Sequence, residues 1–487
     1  MKRYLVQTFG CQMNVHDSRR MEEVLRRAGY DATDEPTLAD LIVFNTCSVR
    51  EKAEHKLMSV LGTVRPLKES RRDVVLAVAG CVAQQEGERL RRKAPFVDLV
   101  LGPDNIPELP SLVAHLRDGG PPMVRTVFDV DDPRFLDATP HPGAREVTAF
   151  VTVMKGCDER CTYCIVPTTR GPERYRPADA IVDEIRGLVA GGVREVTLLG
   201  QTVNSWFDPT GDGATTRLSE FPSLLRRIAH EVPDLARLRY TSPHPRHLTD
   251  DLIAAHRDLQ VLPAHVHLPV QSGSDRVLRR MLRRTTRADY LARIARLRAA
   301  RPGLTLSTDL IVGFPGETEE DFEGTLSLVE EAGFVACFAF KYSPRPSTPA
   351  LRLGDDVPPE VKDERLQRLF RVVERQQSAH LESLVGTRQE VLVEGRSRTG
   401  ERWTGRSGRH EIVHVAGAPG DDLPGRLVEV EIESANKHSL MGKTAGAARA
   451  GSIQDGSRAS DAAGAPRASR AERTTHRLPV LAGGGAS

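Results

Sequence analysis

Apolar positions along the first 120 residues fall into short strand-length runs separated by stretches of helical spacing. Residues 4–8, 41–45 and 74–79 are the strand-like runs. Over residues 18–28, Met21, Val24, Leu25 and Ala28 recur at helical spacing, with Ser18 as the expected cap and Gly29 as the stop. Residues 1–120 therefore predict an open α/β domain. Residues 121–146 carry Pro121, Pro122, Pro133, Pro140, Pro142 and Gly143 and predict a linker. Residues 147–384 repeat a strand-helix unit six times, with strands expected at 148–154, 195–199, 238–241, 265–268, 304–312 and 335–341. Between them Ile181, Ile185, Leu188 and Val189 mark one helical face, stopped by Gly191 and Gly192. Six such units imply a parallel, barrel-like sheet, whose chemistry sits at the C-terminal ends of its strands. A long helix is expected at 358–384, with Leu366, Leu369, Phe370, Val373 and Leu381 on related faces.

From Arg388 the period switches to two. Val391 and Val393 alternate with polar neighbours, and Val428, Val430 and Ile432 alternate with Glu429, Glu431 and Glu433. Short strands with glycine turns over 385–443 predict a small antiparallel barrel. Residues 444–487 are rich in Ala, Gly, Ser and Arg and lack the large apolar residues a core needs, so they predict a disordered tail. The fold class is α/β, with an open N-terminal domain, a central partial (β/α)6 barrel and a C-terminal β-barrel.

Composition narrows the chemistry. With 487 residues, 39% of them hydrophobic, the chain can bury several cores. The N-terminus has no secretory apolar region, and no run approaches the ~18 apolar residues of a membrane helix, so a cytoplasmic protein is expected. A net charge of +2 excludes a bulk polycation, and nucleic-acid contacts must come from local patches. Seven widely spread cysteines fit reduced thiols and metal ligation better than a disulfide scaffold.

Three of those cysteines stand in Lys155-Gly-Cys157-Asp-Glu-Arg-Cys161-Thr-Tyr-Cys164, in the loop after the first central strand. Thiolates at this spacing can hold one iron-sulfur cluster, leaving one iron without a protein ligand and open to a substrate or cofactor. Zinc is the competing metal, but no second C-x2-C knuckle follows within reach. Cys11, Cys47 and Cys81 each follow a predicted N-terminal strand within about two residues. In a parallel sheet those strand ends share one edge, where three thiolates converge into a second cluster site. Inert core cysteines are the competing reading from spacing alone, and the one expected for Cys337 in its apolar strand. His265 and His267 alternate on a strand without a third ligand, and packed or hydrogen-bonded roles are expected for them. The basic run Arg279, Arg280, Arg283, Arg284 and Arg287 reads equally as a solvated helix face or a nucleic-acid contact. In the C-terminal barrel, Arg388, Arg396, Arg398, Arg402, Arg406, Arg409 and Lys437 supply positive charge and Trp403 an aromatic face for stacking, which suits RNA.

The C-x3-C-x2-C motif, with Tyr163 before its last cysteine, resembles the signature of radical S-adenosylmethionine (SAM) enzymes. Thr8-Phe-Gly-Cys11-Gln-Met-Asn14, Asn45-Thr-Cys47-Ser-Val-Arg-Glu51 and Gly80-Cys81-Val-Ala-Gln84 resemble the N-terminal domain of the methylthiotransferases. The Asn45 to Glu51 form is similar to the MiaB-type tRNA enzymes rather than to those modifying a ribosomal protein. Thr404-Gly-Arg406 and Met441-Gly442 resemble the TRAM domain, which in that family helps bind tRNA. The resemblance covers residues 1 to about 443. It implies two 4Fe-4S clusters, on Cys157, Cys161 and Cys164 and on Cys11, Cys47 and Cys81, with SAM on the first. It further implies SAM contacts at Gly200, Gln201, Gln271 and Val312. The activity implied is 2-methylthiolation of N6-isopentenyladenosine at position 37 of tRNA, with separate electron and sulfur donors and a monomeric enzyme. Methylthiolation of threonylcarbamoyladenosine or of a protein aspartate, and a non-catalytic RNA-binding iron-sulfur sensor, are the alternatives. Thr202, where Asn is expected, and Tyr175, where Ser is expected, depart from the pattern at positions not expected to touch a cluster ligand.

Overall fold

The computed structural model describes residues 2–48, 51–131, 133–136, 146–211, 218–397, 399–417 and 421–445. Arg398, Pro140, Pro142, Gly143 and the predicted tail beyond residue 445 lie outside the described residues. No described helix is long and apolar enough to cross a membrane.

The N-terminal sheet is parallel and has six strands, in the order β2-β1-β3-β4-β5-β6. They are β1 (Lys2–Phe9), β2 (Tyr30–Ala32), β3 (Leu41–Thr46), β4 (Val75–Ala79), β5 (Leu99–Leu101) and β6 (Met123–Arg125). β3 and β4 are buried along their whole length, as expected of central strands covered on both faces. Two corrections follow. The first helix runs Gln12–Arg27, so Ser18 is not its cap but a buried residue inside it, bonded to Thr8 Oγ1 at 2.7 Å and to Asn45 Nδ2 at 2.9 Å. The stretch expected as a linker opens with β6, which pairs with β5 in register Leu99↔Met123. Its apolar residues complete the sheet edge rather than leaving it free.

The central region supplies six parallel strands, as two three-stranded sheets. One holds β7 (Thr148–Thr152), β10 (Glu195–Leu199) and β11 (Arg237–Tyr240), flanked by the short hairpin β8 (Met154–Lys155) and β9 (Arg174–Tyr175). The other holds β12 (His265–His267), β13 (Thr305–Val312) and β14 (Ala336–Lys341). Alternate residues such as Val151, Val196, Leu198, Leu238, Leu306 and Leu310 join the helices in one hydrophobic core. The opposite face is polar and aromatic. His265 and His267 there bond Ser307 Oγ at 3.1 and 2.9 Å, which is the hydrogen-bonded role expected of them. Cys337 is only half-buried, because β14 is an edge strand with Phe338 50% exposed beside it.

The C-terminal barrel closes in the order β15-β16-β17-β19-β18, formed by β15 (Arg388–Arg396), β16 (Trp403–Ser407), β17 (Ile412–Ala416), β18 (Leu427–Asn436) and β19 (Ser439–Thr444). It is not wholly antiparallel, since β17 and β19 pair in parallel. The long helix Pro359–Ser383 ties it to the centre: Leu369 and Val373 join the central core, Leu381 the barrel core. The barrel also sits against β11. Arg237 donates to the carbonyls of Arg406 and Glu390 at 2.7 and 3.1 Å, and Arg239 to that of Ser407 at 3.3 Å. Both guanidiniums are buried around Glu195, with Arg239 Nε 3.0 Å from its carboxylate.

Glu195→Ala removes the carboxylate from two buried guanidiniums and should lower stability by about 3–5 kcal/mol. Glu374→Ala, which breaks a half-exposed pair with Lys437, should change it by roughly 0–1 kcal/mol. Urea unfolding midpoints of the two variants check the contrast.

Candidate active site

The three N-terminal cysteines are set by the ends of adjacent strands. Cys11 follows β1 and starts the helix Gln12–Arg27, Cys47 follows β3, and Cys81 follows β4 and opens the helix Cys81–Glu86. Cys11 Sγ and Cys47 Sγ are 4.0 Å apart, and the Cys47 amide is held by the Phe9 carbonyl at 2.9 Å. Beneath them a buried amide pair locks the loops: Asn14 Nδ2 donates to Asn45 Oδ1 at 3.0 Å, and Asn45 Nδ2 to the Asn14 carbonyl at 2.8 Å. Gly80, at φ +90°, leaves room for this pair, since a Cβ there would come within 2.2 Å of Asn45 Oδ1.

The central cysteines lie in the loop after β8. Cys157 and Cys161 are buried and Cys164 half-buried. The Cys157 amide donates to the Gly171 carbonyl at 3.1 Å, and Thr162 N to the Met281 carbonyl at 3.0 Å, so both ends of the loop are anchored. Gly156, at φ +75°, admits the chain where a Cβ would lie 1.8 Å from the Pro172 carbonyl oxygen.

The thiols differ electrostatically. The Cys47 thiol brings Cys11 down to about 6 against the pull of burial, helped by Asn14 and by the charge of Arg170. Burial pushes Cys81 up, and pushes Cys157 and Cys164 up to about 12. Thiols this desolvated ionise only beside compensating positive charge, which a bound metal supplies.

Among the described residues no three His, Cys, Asp or Glu side chains gather tightly enough to hold one metal ion. Two all-sulfur triads, each with soft ligands on an anchored loop, fit the larger iron-sulfur cluster. The SAM fit rests on Gln201, whose side-chain oxygen and nitrogen are both buried without a hydrogen-bond partner. A buried, unsatisfied amide, on the residue preceding the Thr202 that touches Cys157, suits a polar ligand.

The other expected cofactor residues fall around it. Gly200 is buried against Met154, where a Cβ would lie 2.6 Å from Cγ. Gln271 is buried at φ +82°, a conformation rarely held without cause outside glycine, and bridges to Leu310. Tyr163 packs with Ile311 beside Val277 and Phe314. The Val312 side chain is buried in the helix-facing core with Leu306 and Leu310, which leaves only its backbone for a ligand, and strand alternation turns Ile311 to the opposite face.

Two further corrections concern charge and contacts. The run from Arg279 to Arg287 is not one exposed helix face. It spans a helix end, a turn and the next helix start, and Arg283 is buried, donating to Cys161 Sγ at 3.6 Å and to the Pro269 carbonyl at 2.6 Å. Arg280 and Arg287 cap the Pro315 and Gly324 carbonyls at 3.1 and 2.7 Å. Thr202 does touch a candidate ligand, its Oγ1 standing 3.0 Å from Cys157 Sγ. Tyr175 bonds Glu173 and packs on Phe207 with ring centres 4.1 Å apart.

Sequence reading missed Arg170, a buried carboxylate and the contact of Arg283 with Cys161. Glu159, inside the cysteine loop, is 3.1 Å from His247 Nε2 and 3.5 Å from Arg246. Burial would raise its pKa, but those partners and His244 hold it down at about 2. Glu159 lies between two cysteines in the chain, and its charge was the available signal.

In the C-terminal barrel the expected RNA contacts divide. Arg388 is exposed and Arg402 half-buried. Trp403 is a correction: it is 6% exposed in the barrel core with Arg396 stacked 3.5 Å over its ring, so it offers no open stacking face. Arg406 pairs with Glu394, Lys437 with Glu374, and Arg409 Nε donates to the Gly303 carbonyl at 3.0 Å in the central region.

Family models match three segments of the chain: an uncharacterized protein family, UPF0004, at residues 3–102; the radical SAM superfamily at 151–329; and the TRAM domain at 382–445. With two cysteine triads, these define a radical SAM methylthiotransferase. A relative from Sorangium cellulosum, tRNA-2-methylthio-N(6)-dimethylallyladenosine synthase, is 62% identical over 92% of this chain and 95% of its own length. One of the same name from Acidithiobacillus ferrooxidans is 47% identical over 91% and 98%. The chain belongs to the tRNA-2-methylthio-N(6)-dimethylallyladenosine synthase family. Among solved structures, the radical S-adenosylmethionine methyltransferase TsrM from Kitasatospora setae shares the fold, with TM-score 0.51 and 16% identity over 72% of this chain and 77% of its own.

Gly156→Ala should unseat the cysteine loop, because both its φ and the Pro172 carbonyl forbid a side chain there. The expected outcome is iron content falling toward half after anaerobic reconstitution, with far-UV circular dichroism retained.

Proposed function

We propose that this chain converts N6-isopentenyladenosine at position 37 of tRNA to its 2-methylthio derivative. The observation that carries the reading is the pair of anchored cysteine triads on one chain, joined with family membership at 62% identity. Cys157, Cys161 and Cys164 would hold the SAM-binding 4Fe-4S cluster, and Cys11, Cys47 and Cys81 the auxiliary one. When bound, these groups supply one-electron reductive cleavage of SAM and delivery of sulfur.

The chain's own residues prepare the site. Gln201 offers an unpaired amide to SAM, with Gly200, Gln271 and Tyr163 as the other residues this reading assigns to it. Thr202 and Arg283 each reach a sulfur of the first triad and fix its orientation. Asn204 ties two strand-end loops by exchanging hydrogen bonds with the His244 backbone at 3.0 and 2.8 Å, holding the cavity's rim. Arg388 and Arg402 are the barrel residues best placed to meet RNA phosphate. The domains in this reading are 1–125, with β6 included, 147–384 and 385–443. Its partners are tRNA, an electron donor and a sulfur donor, acting with a monomer in the cytoplasm, where tRNA is modified.

Anaerobically reconstituted protein should hold about eight irons, and replacing Cys157, Cys161 and Cys164 with Ala should halve that content. A parent holding a single cluster would sink the two-site reading. Cys47→Ala should retain SAM cleavage yet lose methylthiolation, with 5'-deoxyadenosine measured in vitro and tRNA nucleosides by mass spectrometry. Loss of both together would make Cys47 structural.

A further inference from the structure

Arg170 belongs to the central region but spends its guanidinium on the N-terminal one. It ends the short helix Val166–Arg170, which starts two residues after Cys164. Its Nε donates to Cys81 Sγ at 3.3 Å, while Nη1 and Nη2 reach the two oxygens of Asp17 at 3.4 and 2.5 Å. Both partners are buried, Arg170 at 7% exposure and Asp17 at 5%. The helix Val166–Arg170 packs against Cys81–Glu86, and the Cys157 amide is bonded to Gly171, the next residue. One strap thus carries the first triad and a fixed positive charge on the second.

We propose that Arg170 is a positioning residue that sets the reduction potential of the auxiliary cluster, with Asp17 opposing its charge. The proposal rests on the assignment of Cys11, Cys47 and Cys81 as cluster ligands. Two observations separate it from simple adhesion between domains. Adhesion is already supplied by a neighbouring buried network, in which Arg174 pairs with Asp104 at 2.5 Å and with Asp129, and Lys155 reaches Asp129 at 3.0 Å. A plain ion pair would also need only the two Nη groups, whereas here Nε is turned onto a sulfur. Hydrogen bonds and charge at ligand sulfurs are principal determinants of cluster potential. Reduction adds one electron to the cluster, so a buried cation beside it favours the reduced state and a buried anion disfavours it. The low local dielectric makes both effects large.

The test uses the full chain with Cys157, Cys161 and Cys164 replaced by Ala, so that only the auxiliary cluster loads. Midpoint potentials are measured by electron paramagnetic resonance after poising with dithionite and mediators. In this background Arg170→Gln should move the potential to more negative values and Asp17→Asn to more positive ones. Arg170→Lys, which keeps the charge but not the forked geometry, should fall between Arg170→Gln and the parent. Arg283→Gln, whose guanidinium lies on Cys161, should leave this cluster's potential unchanged.

A purely structural role would lower iron loading in both the Arg170 and Asp17 variants without shifting potentials in opposite directions, and that result overturns the proposal. Unmoved potentials overturn it as well. Should Arg170→Gln fail to hold iron, the positive shift in Asp17→Asn and the position of Arg170→Lys decide the matter. If the triple-Ala background loads no cluster at all, the ligand assignment fails, and the proposal falls with it for that distinguishable reason.

Discussion

An arginine cannot shed its charge, so a guanidinium buried in this protein needs carboxylates, carbonyls or thiolates close by. That constraint joins the parts. Arg170 and Arg174 cross from the central region to Asp17, Asp104 and Asp129, and so hold the segment that follows Cys164 on the N-terminal domain. Arg283, itself buried, links Cys161 to the Pro269 carbonyl. Arg237 and Arg239 lead out from β11 to the C-terminal barrel. Arg365, on the long helix, is paired with the buried Glu317 at 2.9 Å. Burying each pair yields little net stability, but leaving either partner alone is costly, so the arrangement specifies one relative placement rather than a strong attraction. For chemistry shared between two metal centres, placement is the quantity that counts.

Much of this was legible in the sequence. The cysteine positions, the parallel strands and the period-two barrel follow from local patterning, which depends on neighbours one to four residues away. The expected strand at 195–199 matches β10, and the helix expected at 358–384 differs from Pro359–Ser383 by one residue at each end. The start of the first helix was less readable. Ser18 is a common cap residue, and nothing local says that its hydroxyl is engaged by Thr8 and Asn45 from other elements. Within β13 the alternation of Leu306 with Ser307 and of Asp309 with Leu310 is legible, and its continuation puts Val312 in the core with Leu306 and Leu310.

The sulfur contacts that sequence reading did not foresee share one property: their partners are far away in the chain. Arg170 is 89 residues from Cys81, Arg283 is 122 from Cys161, and Thr202 is 45 from Cys157. A basic residue in such a segment is ordinarily solvated, and only the fold converts it into a sulfur-bound group. Trp403 erred in the opposite direction. An aromatic among arginines suggests a nucleic-acid face, but β16 turns this ring inward, where it fills the small barrel's core as interior positions of such barrels must be filled.

The docking of the C-terminal barrel shows why its interface was hard to see from that side. Arg237 and Arg239 bond mainly the backbone carbonyls of Glu390, Arg406 and Ser407, with one side-chain contact from Arg237 to the Glu390 carboxylate at 3.5 Å, and Arg409 answers with a bond to the Gly303 carbonyl. A carbonyl is offered by any residue, so the interface demands strand geometry from the barrel while leaving most of its side chains free to vary. Specification lies almost wholly on β11, where two arginines alternate around Leu238 within a strand that a core would fill with apolar residues. Charged residues at alternate positions of a buried strand cannot face water there, so their presence already implied a partner surface rich in acceptors. The barrel's strand edges and turns supply those acceptors. Its docking therefore leaves the exposed Arg388 uncommitted, the kind of surface residue that a phosphate backbone would meet.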